Sequence, residues 1–292
     1  MLTLNVGPLA LAMPHVLLLG SLLLATVVGW WVGRRHGCNP ERQLFHLLLV
    51  GLLVARLAFV VRYFEHFQGE PWRVIDIRDG GFIAWPGLLA ALALGAWQGW
   101  RDRGLRKPLG IALATGVLAW GSGSYVLHSL EQGTRLPELA LRDAEGRPVA
   151  LEDYAGQPLV VNLWATWCPP CRREMPVLAE AQAREQDTLF LFVNQGEGAR
   201  TVSDYLTEHG LWLENVLLDS GSRLGAQVGS GMLPTTLFYD ADGQQRGSHL
   251  GELSSASLAH GLKRIVGEPP PVETRGAQRG ERATLEHPQH LE

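Results

Sequence analysis

The sequence predicts a chain of two classes: an N-terminal transmembrane domain of four helices, followed by an α/β domain with a central mixed sheet flanked by helices. Three observations predict it. Apolar runs close to the ~20 residues that span a bilayer as a helix are confined to the part of the chain before about residue 130. Beyond a short polar connection, strand-like and helix-like runs alternate, as in a sheet covered by helices. The composition, 46% hydrophobic and 18% charged over 292 residues, is apolar for a wholly soluble chain, and the length leaves room for about two domains. A formal net charge of -4 carries no basic footprint, so no nucleic-acid partner is expected. With three cysteines, Cys38, Cys168 and Cys171, the chain is too poor for a disulfide-stapled scaffold, and cysteine is expected to serve chemistry.

The membrane half is assigned to residues 1–130, with spans over 9–32, 44–61, 82–100 and 109–128. Arg34, Arg35 and Arg42 lie between the first two, and Arg101, Arg103, Arg106 and Lys107 between the last two. The intervening loop, 62–81, mixes Arg73 and Arg78 with Glu65, Glu70, Asp76 and Asp79. Short basic loops stay cytoplasmic, so both termini are expected outside. The stretch "LLLGSLLLA" looks like a secretory signal core, but no Lys or Arg precedes Arg34, so no cleavage is expected. Trp30, Trp31, Trp85, Trp97 and Trp100 fit interfacial belts. Gly87, Ala91 and Gly95 give the third span a small-residue face. Arg56 lies inside "GLLVARLAFVV" and has two readings: a partner for a ligand or anionic headgroup, or a snorkelling side chain paired with Glu65 or Asp79.

Residues 131–136, "EQGTRL", read as a linker, and 137–267 as the α/β domain. "PLVVNLWA" and "TLFLFVN" are short runs rich in β-branched and aromatic residues, the mark of buried strands. Between them, 168–185 is helix-like, with Met175, Leu178 and Ala179 on one stripe. "ARTVSDYLTEHG" is a helix closed by Gly210. "NVLLD" and "TTLFYD" are further strands, the second leading through Asp242-Gly243 into a hairpin. "SSASLAHGLKRIVG" is a last helix, N-capped by serine and ended by Gly267. Residues 268–292 have no apolar periodicity and many breakers, and are expected to be a disordered tail.

The chemistry centres on "WATWCPPC", residues 164–171. A zinc site needs four ligands, usually as two close pairs; here there is one CxxC and no paired histidines, so no metal is expected. A structural disulfide between residues three apart would close a minimal loop and restrain little of the unfolded chain. A redox pair fits better. Placed at the first position of a helix, Cys168 would meet orphan N–H groups and the macrodipole, which stabilise a thiolate. Pro169 and Pro170 lose nothing there by lacking N–H groups, and their fixed φ presets the helix. Cys171, one turn on, lies over Cys168 and is placed to resolve a mixed disulfide. Trp167 is expected to shield that disulfide, and Trp164 to fill core.

Residues 136–267 resemble the thioredoxin-like thiol–disulfide oxidoreductases of the TlpA/ResA type. The resemblance is carried by "GRPVALEDYAGQPLVVNLWATWCPPCRREMP", "VNQGE" and "GMLPTTLFYDADG". It implies a thioredoxin-like fold and protein-disulfide oxidoreductase activity without a cofactor. It further implies a cis-proline at Pro234 facing the CxxC, with the backbone of Leu233 offered to an extended substrate segment. Trp167, Pro169 and Pro170 would share that substrate surface. Where thioredoxin carries a buried aspartate, this chain has Asn162, as in the TlpA/ResA group, and Glu174 matches the glutamate that the group is thought to use for proton handling. The other reading of Glu174 is a solvated first-turn acid favoured by the helix dipole.

The membrane half, through "VARLAFVVRYFEHFQGEPWRVIDIRDGGFIAWPGLLA", is similar in layout to part of prolipoprotein diacylglyceryl transferase. That family's His-Gly-Gly is here Trp85-Pro86-Gly87, so an anchor or docking surface is expected in place of lipid transfer. Cys38 has no cysteine partner, so Cys168 and Cys171 are expected to exchange electrons with a separate membrane or periplasmic donor. Expected substrates are protein disulfides such as apocytochrome c or another periplasmic thiol protein. The location implied is the bacterial inner membrane, multi-pass, with the thioredoxin-like domain in the periplasm. Use of that fold as a binding or adaptor module, or as a thiol oxidase or isomerase, are the alternatives.

Overall fold

A computed structural model describes residues 3–6, 9–68 and 71–266. The tail expected over 268–292 lies outside them; the last helix ends at Leu262 with Lys263 as its C-cap, short of the end expected at Gly267. Strands β1 (Thr3–Val6) and β2 (Leu9–Ala12) form an antiparallel hairpin ahead of four long helices. These are α1 (Met13–His36), α2 (Glu41–Arg62), α3 (Ala84–Arg101) and α4 (Arg106–Gln132). The first expected span therefore begins later, because residues 9–12 are strand and Pro14 starts the helix, its fixed φ suited to a first turn. Three helices, over Met13–Arg35, Glu41–Arg62 and Arg106–Glu131, are long and apolar enough to cross a membrane. The fourth long helix, α3, falls outside that set, because Pro86, Gln98, Arg101 and three tryptophans dilute its apolar residues. The small-residue face of α3 does allow close packing, since a Cβ on Gly87 would overlap the Gly51 carbonyl oxygen of α2.

The two arginine-rich connections lie together at one end of the helices; a Cβ on Gly104 would sit 3.3 Å from Cys38 Sγ. At the other end, α2 and α3 are joined through short 3₁₀ turns at Phe64–Phe67 and Pro71–Val74. Helix α4 runs two residues into the stretch expected to be a linker, and Arg135 already bridges to Gln244.

The second half is a seven-stranded mixed sheet. Its strands are β3 (Ala140–Asp143), β4 (Pro148–Ala150), β5 (Leu159–Trp164), β6 (Leu189–Gln195), β7 (Val216–Asp219), β8 (Thr235–Tyr239) and β9 (Gln245–Leu250), in the order β4-β3-β7-β6-β5-β8-β9. The central three, β5, β6 and β7, are parallel, and the remaining pairs antiparallel. The helices are α5 (Pro169–Arg184), α6 (Ala199–Glu208), α7 (Arg223–Val228) and α8 (Ser255–Leu262). Every residue of β5 is buried, which is why it reads as one apolar run. Val160 and Trp164 join the core under α5 and α8, while Leu159, Val161 and Leu163 pack with Leu224 and Val228 of α7 on the opposite face. Sequence periodicity missed β1, β2, β3, β4 and α7, none longer than six residues.

The two halves touch at several places among the described residues. Thr3 donates its N–H to the Gly229 carbonyl and accepts from the Gly231 N–H at 3.0 Å. Ser248 donates to Glu131 at 3.1 Å. Helix α8 sits on the C-terminal end of α2, where Ala256 joins Phe59, Val60, Tyr63 and Phe67, and Tyr63 hydrogen-bonds His260 Nδ1 at 2.9 Å.

Candidate active site

Strand β5 delivers the turn 165–168 to the top of α5. Glu197, in the loop between β6 and α6, clamps that turn. Its carboxylate accepts the Thr166 N–H at 2.7 Å, the Thr166 hydroxyl at 2.5 Å and Asn194 Nδ2 at 2.7 Å. Charge-assisted bonds of this kind fix the turn more firmly than neutral ones. Glu197 belongs to the "VNQGE" segment, but sequence reasoning assigned it no role, because only the fold brings it to Thr166.

Cys168 and Cys171 form a disulfide. Cys168 is the N-cap of α5, one position earlier than the sequence suggested; its sulfur accepts the Cys171 N–H at 3.3 Å, with Pro169 and Pro170 opening the helix. Both sulfurs' residues are buried, whereas Trp167, just ahead, is 67% exposed and Trp164 lies in the core. A side chain that open presents its ring to the surroundings rather than to the interior.

Leu233 and Pro234 are joined by a cis peptide bond immediately before β8. Because Leu163 pairs with Thr235, this segment lies beside the end of β5 that leads to Cys168. Pro234 is buried and Leu233 half-buried.

Glu174 is not solvated: its residue exposure is 0%. Asn162 Nδ2 donates to Oε1 at 2.8 Å and the Leu253 N–H to Oε2 at 2.8 Å. The same Asn162 amide donates to Thr236 at 3.0 Å, while its Oδ1 is buried without a partner. Burial pushes the Glu174 carboxyl up to about 8; the two donors oppose that shift, and neighbouring Glu252 adds to it. A carboxyl poised there holds a proton at neutral pH and can release it to a base. Leu253 and Glu252 were invisible to sequence reasoning, the first because it acts through its backbone.

Arg56 is 7% exposed and all five of its N–H groups are engaged. Nε donates to the Val74 carbonyl, Nη1 to Asp79 Oδ1 at 2.8 Å and the Gly81 carbonyl, and Nη2 to the carbonyls of Arg73 and Asp76. No donor is left for a ligand or headgroup, so the pairing with Asp79 is the correct reading. Among the described residues, no three His, Cys, Asp or Glu side chains gather as metal ligands would.

A profile of the AhpC/TSA family matches residues 132–246. The thiol–disulfide oxidoreductase ResA of Bacillus thuringiensis (strain Al Hakam) is 30% identical over 139 residues, covering 47% of this chain and 80% of the relative. The same enzyme of Geobacillus thermodenitrificans (strain NG80-2) is 33% identical over 135 residues, 46% of this chain and 77% of the relative. A thiol:disulfide interchange protein of the thioredoxin family from Chlorobium tepidum TLS superposes with a TM-score of 0.41 at 26% identity, over 46% of this chain and 97% of that one.

Proposed function

The chain belongs to the ResA family of thiol–disulfide oxidoreductases, and on that premise we propose that it is a membrane-tethered reductase of protein disulfides outside the cytoplasm. In this reading residues 1–130 form a four-span anchor, 131–136 the connection and 137–267 the redox domain. Three helices apolar enough to span a membrane support the anchor. Orientation is supported by the arginine-rich connections, which lie at the end away from the redox domain, as expected of cytoplasmic loops. The domain then faces the periplasm of a bacterial inner membrane.

The observation that carries the reading is the Cys168 sulfur at the N-cap of α5, accepting the Cys171 N–H. In the reduced enzyme that N–H and the helix terminus stabilise a Cys168 thiolate. The thiolate attacks a substrate disulfide, forming a mixed disulfide and releasing one substrate thiolate. The ionised form of Glu174 takes the Cys171 proton, and the Cys171 thiolate then attacks Cys168, releasing the second substrate thiolate and closing the Cys168–Cys171 disulfide. Two electrons pass to the substrate, and a separate membrane or periplasmic dithiol donor returns them. Trp167, Pro169 and Pro170 make the surface that receives the substrate, such as apocytochrome c or another periplasmic thiol protein, and the buried cis-Pro234 holds the Leu233 backbone beside it.

The test is trapping. In membranes from cells, Cys171→Ser is expected to accumulate mixed disulfides through Cys168, and the double variant Cys168→Ser/Cys171→Ser none. Titration of the pair against glutathione then fixes direction. A potential near about -270 mV supports a reductant, while one near about -120 mV makes the protein an oxidant.

A further inference from the structure

We propose that Asp79, on the loop between α2 and α3, is a positioning residue for the redox site: through Ser254 it holds the Leu253 N–H against the buried carboxyl of Glu174. The inference rests on the proton-handling role proposed for Glu174.

The contacts form a short series with each proton assigned. Asp79 is 6% exposed. Its Oδ1 is taken by Arg56 Nη1 at 2.8 Å and the Gly81 N–H at 3.1 Å. Its Oδ2 accepts from Ser254 Oγ at 3.0 Å, and its backbone carbonyl accepts from Ser257 Oγ at 2.7 Å. With the Ser257 proton committed to that carbonyl, the Ser254 hydroxyl donates to the carboxylate and is left to accept the Ser257 N–H as the N-cap of α8. Ser254 directly follows Leu253, whose N–H reaches Glu174 Oε2 at 2.8 Å. At the far end of α8, Tyr63 and His260 are joined at 2.9 Å, so that helix is held at one end on the loop between α2 and α3 and at the other on the end of α2. The segment also borders a cleft of about 400 Å³, lined by Arg78, Asp79, Arg173, Val177, Leu253 and Ser254. Asp79 is therefore the charged group that fixes Ser254 along this open wall.

The groups around Glu174 come from every side. Its own helix supplies Cys171 and Arg173, the latter paired with Glu252 at 2.6 Å. Strands β5 and β8 supply Asn162 and Thr236. The β9–α8 loop supplies Glu252, and His249 bonds the Glu252 carbonyl at 3.1 Å. The loop between α2 and α3 brings Arg73, the Asp76–Arg78 pair and the Arg56–Asp79 pair. Of these, the Leu253 N–H is the donor to Glu174 that the membrane half governs. Loss of an N–H donated to a carboxylate disfavours its charged form, so the acid must titrate higher.

The experiment uses the full chain in lipid nanodiscs, reduced, with the rate of Cys168 alkylation by iodoacetamide followed from pH 5 to 10. Glu174→Gln identifies the inflection that belongs to the carboxyl by removing it. Asp79→Ala is expected to move that inflection upward by roughly half a unit or more. Asp79→Asn, which keeps an acceptor for Ser254, is expected to move it less. Ser254→Ala leaves the Arg56–Asp79 pair intact and is expected to reproduce the upward shift; it decides the matter if Asp79→Ala does not fold. An inflection present but unmoved in Ser254→Ala, and in Asp79→Ala where it folds, overturns this inference alone. A wild-type profile without the Glu174 inflection overturns the proton-handling role and this inference together.

Discussion

Cys168 and Glu174 owe their chemistry to opposite surroundings. The sulfur sits where a helix begins and takes an N–H; the carboxyl sits in apolar packing that favours its protonated form. The sign of the stability effect follows. Below the ordinary carboxyl value of 4.5 both folded and unfolded chains bind the proton. Between there and about 8 the unfolded chain releases it while the folded chain keeps it, so stability falls as pH rises through that window and is flat above. The loss is expected to be on the order of a few kcal/mol, and denaturation of Glu174→Gln at several pH values is expected to show a flatter profile. Arg56 makes the complementary point. Arg56→Leu would strand the buried Asp79 carboxylate and several loop carbonyls, an expected loss of about 3–5 kcal/mol, read as a lowered melting temperature of the full chain in detergent. The position of Arg56 within an apolar run was legible in the sequence. Its five acceptors were not, because four are backbone carbonyls of a loop with no regular pattern.

Elements were legible in proportion to their length and the regularity of their burial. Strands β5 and β6 and helix α5 stood out because continuous burial or a 3.6-residue stripe leaves a pattern. Strands β3 and β4 did not, being short and half exposed, β4 at the sheet edge and β3 next to it. The turn between β5 and α5 depends on an element far along the chain. Glu197→Ala removes the acceptor of the Thr166 N–H and hydroxyl, with an expected loss of about 1.5–3 kcal/mol in denaturant unfolding and slower exchange at Cys168. In the membrane half, helix proximity rests on small residues. Gly87→Val places atoms against the Gly51 carbonyl, where no rotamer relieves the clash, and is expected to lower folded yield in detergent. Gly110→Ala, with nothing within 4 Å of the added Cβ, is the neutral comparison.

For the molecule as a whole, the redox domain is held against the N-terminal half at the cis-proline approach, where β1 meets it, at β9 and at α8. The proposed orientation puts Cys38 on the far side of the membrane from Cys168. A membrane-impermeant maleimide added to spheroplasts is expected to label Cys38 only after permeabilisation; labelling of intact spheroplasts would reverse the topology. By itself the sequence determined the two classes of architecture, the CxxC at the start of a helix and the family, because hydrophobic period and short motifs are local properties of a chain. Tertiary structure alone decided that Glu174 is buried, that Glu197 clamps the turn before Cys168, and that Arg56 is spent on a loop. It alone also joined that loop to the redox centre through Asp79 and Ser254, 175 residues apart. Such contacts depend on which distant groups meet once water is excluded, and no local pattern carries that.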